Sequence, residues 1–124
     1  MLYVDLNEKY IIERFPELKE EVAKEVEFLE EFLPSVIFEN IFHFFTNSLL
    51  KKEDYSTNHV LKRIFDMYEE LSKEGDEDIQ NLVEVSLLEC LWDERVTYDR
   101  ALELMGQETK TIWDRIEWLN IPVN

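Results

Sequence analysis

A chain of 124 residues is the size of one domain, long enough to bury roughly two thirds of the surface its unfolded form exposes. With 45% hydrophobic and 13% aromatic residues it is too rich in core-forming side chains for a disordered acidic tail, yet 29 Asp and Glu against 13 Lys and Arg leave a formal charge of -16. That charge argues against direct binding to nucleic acid or to an anionic membrane, and cations cluster no further than Lys51-Lys52 and Lys62-Arg63.

Gly occurs only at Gly75 and Gly106, and Pro only at Pro16, Pro34 and Pro122, so breaks are few and the segments between them carry helical periodicity. The pattern predicts an all-α single domain over residues 1–124, with six to seven antiparallel helices packed as an irregular bundle or as a short stacked-hairpin solenoid. A first helix spans roughly Asp5 to Phe15. Pro16 opens a second that runs to about Leu33, with Leu18, Val22, Val26, Leu29 and Leu33 on one face. The third, from Pro34 to about Leu50, is apolar and aromatic and expected at the centre; it carries Val36, Ile37, Ile41, Phe44, Phe45 and Leu49. The fourth starts after Ser56 or Thr57 and carries Val60, Leu61, Ile64, Phe65, Tyr68 and Leu71 until Gly75 closes it.

The fifth helix has the clearest signature. Asp76 can cap its first turn, Glu77 and Asp78 suit the positive end of the dipole, and Ile79, Leu82, Val83, Ser86, Leu87, Cys90 and Leu91 form an apolar stripe. A sixth covers roughly Tyr98 to Met105 and stops at Gly106. The seventh runs from about Glu108 to Leu119, with Gln107 or Thr109 near its start, Ile112, Trp113, Ile116 and Leu119 inward and Trp118 toward the surface.

Catalytic and metal-binding patterns are weak. Bundle di-iron sites use Glu-x-x-His, whereas Glu39 and His43 are four apart and His59 has no acid at a useful offset, so no metal or cofactor is expected. His43 reads as a core or edge histidine beside Phe42, Phe44 and Phe45, and His59 as a first-turn residue. Cys90, on the apolar side of its helix, reads as a small buried side chain rather than a nucleophile, and Ser35, Ser56 and Thr57 as helix starters. No enzyme is expected. The N-terminus lacks a secretory pattern and no apolar run reaches the roughly 20 residues needed to span a bilayer, which predicts a cytoplasmic location.

The concentration of negative charge is the functional signal. Between Glu74 and Glu94 stand eight acids and no Lys or Arg. Like charges so crowded repel one another, and a cationic partner relieves that repulsion. The second face of the fifth helix carries Val85, Leu88 and Trp92 among Asn81, Glu84, Glu89 and Asp93. Such a helix is either buried on both sides or presents an apolar ridge bordered by acids, a pattern suited to protein recognition. Trp92, Asp93 and Glu94 fall at its C-terminal end, where negative charge opposes the dipole and points to a purpose outside folding. Asp76, Glu77, Asp78, Glu84, Glu89, Asp93 and Glu94 are therefore the expected steering acids, with Leu88 and Trp92 as anchors. On the second helix Glu20, Glu27 and Glu31 share the exposed side, and Glu27, Glu30 and Glu31 extend the negative surface.

The string Gly75-Asp76-Glu77-Asp78-Ile79-Gln80-Asn81-Leu82-Val83-Glu84-Val85-Ser86-Leu87-Leu88-Glu89 resembles a signature of small acidic all-helical bacterial proteins. The later Ala101-Leu102-Glu103-Leu104-Met105-Gly106, followed by Thr111-Ile112-Trp113, is similar to their C-terminal segment, so the likeness covers roughly Val36 to Trp118. Proteins of this kind are associated with immunity in polymorphic and contact-dependent growth inhibition toxin systems. The resemblance implies a cognate inhibitor, and with the charge it implies a basic toxin domain as partner, of which a nuclease is an example because it presents Lys and Arg to phosphate. Three other readings stand beside it: a nucleic-acid mimic that inhibits a defence protein, a non-catalytic helical adaptor, and a carboxylate-rich metal-binding bundle.

Overall fold

The computed structural model describes residues 1–88, 91 and 94–117, and every regular element among them is helical. After a 3-10 turn at Tyr3–Asp5 come α1 (Glu8–Arg14) and α2 (Lys19–Leu29, led in by a 3-10 turn at Pro16–Leu18). The third helix, α3, is continuous over 34–50 but changes pitch, with α-helical Pro34–Ile37, π-helical Phe38–Phe42 and α-helical His43–Leu50. Then follow α4 (His59–Glu74) and α5 (77–88, α-helical at Glu77–Leu82 and π-helical at Val83–Leu88). The last two are α6 (Arg95–Leu104) and α7 (Gln107–Glu117), making seven helices among the described residues.

Local chemistry sets the boundaries, and several differ from the sequence expectation. α1 starts at Glu8 rather than Asp5 because the Asn7 side chain accepts the Tyr10 amide as its cap. α2 ends at Leu29, short of Leu33, because Glu30 is left-handed with φ 63 and Leu33 precedes Pro34, which disfavours helical backbone at that residue. α4 is capped by Asn58, whose side chain accepts the Leu61 amide at 2.9 Å, while Ser56 and Thr57 belong to a separate 3-10 turn. α6 begins at Arg95, ahead of Tyr98, with the buried Thr97 hydroxyl donating to the Leu91 and Glu94 carbonyls.

Helices distant in sequence pack together: α3 touches α5 and α6, and α4 touches α7 as well as its neighbours α3 and α5. Such contacts make an irregular bundle rather than stacked hairpins, in which each unit meets only the next. One hydrophobic cluster joins Leu6 and Phe15 to Trp113 and Ile116. The centre expected for α3 is shared with α4, which buries Leu61, Ile64, Phe65, Met67, Tyr68, Leu71 and Ser72. At about 1.5–3 kcal/mol for each large apolar side chain removed from water, α4 is held far more firmly than α2, whose one fully buried residue is Val22. Aromatic pairs fit the core together, with Phe15 edge-on to Phe42 and Phe38 tilted against Phe42 at 5.1 Å, and Tyr98 tilted against Trp113 at 5.2 Å.

Polar side chains tie the helix ends to neighbouring helices. Glu69 of α4 accepts the Glu108 and Thr109 amides and the Thr109 hydroxyl, each at 2.9 Å, and so caps α7 from outside. Arg100 of α6 donates to the Leu50 and Lys52 carbonyls at the end of α3, and Gln80 of α5 donates to the Ser72 and Gly75 carbonyls at the end of α4. Gly75 closes α4 in extended backbone (φ -72, ψ 146), so it is not a left-handed cap. Glycine is required there because a Cβ would overlap the Leu71 carbonyl oxygen and the Ile79 side chain, whereas at Gly106 a Cβ would push aside the Glu69 carboxylate.

Candidate protein-binding face

Asp76 fixes the start of α5. One carboxylate oxygen accepts the Ile79 amide at 3.0 Å as the N-cap, and the other accepts the Tyr3 amide at 2.9 Å, binding the N-terminal turn to the helix. The Ile79 and Tyr3 amides hold its carboxyl below the usual range. Ile79, Leu82, Val83 and Ser86 then turn into the core. Glu77, Asp78 and Asn81 are left exposed, Glu84 half-buried, and Val85 is 47% exposed. At Val85, therefore, α5 presents an exposed apolar side chain among acids, while the Leu88 and Trp92 side chains of the expected ridge lie outside what is described.

Two grooves lie along the outer side of α5. One, about 470 Å³, lies toward α7 and is lined by Glu77, Asp78, Gln80, Asn81, Glu84 and Arg115. The other, about 450 Å³, lies toward α3: Leu82, Val85 and Ser86 come from α5, Ser35 and Glu39 from α3, and Tyr3 from the N-terminal turn, while Asp78 and Asn81 line both grooves. The Ser86 hydroxyl donates to Glu39 Oε1 at 3.2 Å across the π-helical stretches of α3 and α5, which pack on one another. The Tyr3 hydroxyl is held above its usual pKa by burial and, secondarily, by the Asp78 charge.

The expected acids divide by task. Glu77, Asp78 and Glu84 form no ion pair among the described residues. Asp76 is engaged as a cap, and Glu94 pairs with Lys51 at 2.7 Å. Glu94 also corrects the dipole argument, because it immediately precedes α6 and so lies at the favourable N-terminal end of that helix rather than at the unfavourable end of α5. Glu27, Glu30 and Glu31 are exposed at the end of α2 and line neither groove. Glu89, Trp92 and Asp93 lie outside the described residues, as do Cys90 and Trp118, and of Leu88 the backbone alone is described.

Sequence reasoning missed Tyr3 and the placement of Glu39 beside α5, which reach the face through the fold. It also missed Phe28, 84% exposed between Glu27 and Glu30, and the outward turn of Phe44, 72% exposed. Most arginines are engaged within the fold. Arg14 lies 3.6 Å from the centre of the Tyr10 ring and pairs with Glu70; Arg63 grips both oxygens of Glu17. Among the described residues no group of three or more His, Cys, Asp or Glu is placed to hold a metal, and no helix is long and apolar enough to cross a membrane.

The chain is thus an acidic all-helical domain with one helix face bordered by carboxylates. It belongs to the family described as Domain of unknown function (DUF7674), which matches residues 8–119. No curated protein and no solved structure matches it.

Proposed function

We propose that this protein is an inhibitor of the immunity type, which captures a basic toxin domain, such as a nuclease, on the outer face of α5. The reading is carried by one observation: Glu77, Asp78 and Glu84 form no ion pair among the described residues, although Arg115 lines a groove with them, and Asp78 also borders the exposed Val85. Charge of this kind speeds encounter with a positive surface and selects against other partners, while an apolar contact inside the charged border supplies affinity. The sequence resemblance to immunity proteins supports the same role, and a nuclease supplies the required cationic surface. A cytoplasmic site of action accords with neutralising such a toxin inside the producing cell.

The test uses the protein encoded beside this gene as the candidate partner. Association is followed by stopped flow for the wild type and for the triple variant Glu77→Lys, Asp78→Lys, Glu84→Lys, at low and high salt. The expected result is about a tenfold or greater loss of association rate in the variant and a steep salt dependence in the wild type. An unchanged rate and affinity in the folded variant rejects this face.

A further inference from the structure

We propose that the groove between α3 and α5 seats an arginine side chain of the basic partner, its stem against Leu82 and Val85 and its guanidinium between Glu39 and Asp78. This deepens the binding function proposed above and rests on it. The two carboxylates come from different helices, and no Lys or Arg lines the groove among the described residues, so its charge is complementary to a cation. The groove is more than a charged patch: Val85, 47% exposed, offers apolar surface to an alkyl stem, with only the edge of the buried Leu82 beneath it. Its volume of about 450 Å³ falls within the range of sites that hold small ligands.

Tyr3 favours arginine over lysine. A planar guanidinium stacks on an aromatic face and divides its donors between two acceptors, whereas an ammonium does neither as well. Glu39 is also held for this purpose, since the Ser86 hydroxyl engages Oε1 while Oε2 has no partner among the described residues. Both walls include π-helical turns, a rare backbone form that is frequent where function demands a locally altered helix.

The experiment titrates the ¹⁵N-labelled full chain with acetyl-Gly-Arg-Gly-amide, and in parallel with the same peptide carrying lysine or citrulline. The arginine peptide is expected to give saturable amide shifts centred on Tyr3, Ser35, Asn81 and Ser86, with about fivefold tighter binding than the lysine peptide and none for the uncharged citrulline peptide. Glu39→Gln combined with Asp78→Asn should abolish those shifts, whereas Glu53→Gln combined with Asp54→Asn, in the exposed connection between α3 and α4, should leave them. Equal affinity for arginine and lysine, or shifts scattered over all the acidic helices, overturns the groove. The two proposals fail distinguishably: capture slowed by the Glu77/Asp78/Glu84 reversal without groove shifts removes the arginine seat alone, and groove shifts with unchanged capture remove the inhibitory face and leave an arginine site unconnected with it.

Discussion

Glu69 illustrates how a residue in an acidic sequence can serve the fold. Burial on its own raises its pKa, but the Thr109 and Glu108 amides and the Thr109 hydroxyl outweigh that and hold the carboxyl below its ordinary value of 4.5. A group lowered in this way contributes stability above its unfolded value, and that contribution is lost as pH falls through the folded value. Glu69→Ala should cost about 1 kcal/mol in urea denaturation at neutral pH, the usual loss for a helix cap, with the difference from wild type closing below about pH 4.5. Gly106→Ala should act through the same carboxylate by displacing it, so the double variant should cost little more than either single one; additive losses would show that the two are independent. Asp76 was readable as a cap because cap and helix are adjacent in sequence. Glu69 was not, since its partners lie 39 and 40 residues away.

At the scale of the helix, the seven segments were legible from periodicity because apolar faces and prolines act locally, but the change of pitch in α3 and α5 was not read. The signal was present. Apolar or small pairs recur every four residues at Ile37-Phe38, Ile41-Phe42, Phe45-Thr46 and Leu49-Leu50, and again at Leu82-Val83, Ser86-Leu87 and Cys90-Leu91. Four residues of α-helix overshoot a full turn by about 40°, so such a stripe drifts round the helix unless a wider turn absorbs it. The Phe38–Phe42 stretch does so in α3, keeping Thr46, Leu49 and Leu50 inward and leaving Phe44 outside. Deleting the exposed Asn40 should remove the one-residue excess that the wide turn carries, making α3 a plain α-helix with both halves in register, so the melting temperature should change little; a large fall would show that the wide turn itself holds the core. At the end of α2, Glu30→Gly should stabilise by about 0.5–1 kcal/mol, because glycine adopts the left-handed conformation without a Cβ penalty.

The whole molecule is constrained by its charge. Its cations are few, and Arg14, Arg63, Lys51 and Arg100 are engaged with neighbouring carboxylates or helix ends, leaving α5's outer acids exposed to mutual repulsion. Raising sodium chloride from about 0.05 to 0.5 M should therefore raise the melting temperature by screening that repulsion, and a flat or falling response would show that the acids are balanced within the fold. The acidic stretch was visible in composition, but the division of labour within it was not: whether an acid caps, pairs or faces solvent depends on helices that meet only after folding. The capping of α7 by a side chain of α4 has a further consequence. The amides of Glu108 and Thr109 are shielded by a residue outside their own helix, so their exchange with deuterated solvent should follow the opening of α4 instead of the fraying of α7, making the first turn of the last helix a reporter on the centre of the molecule.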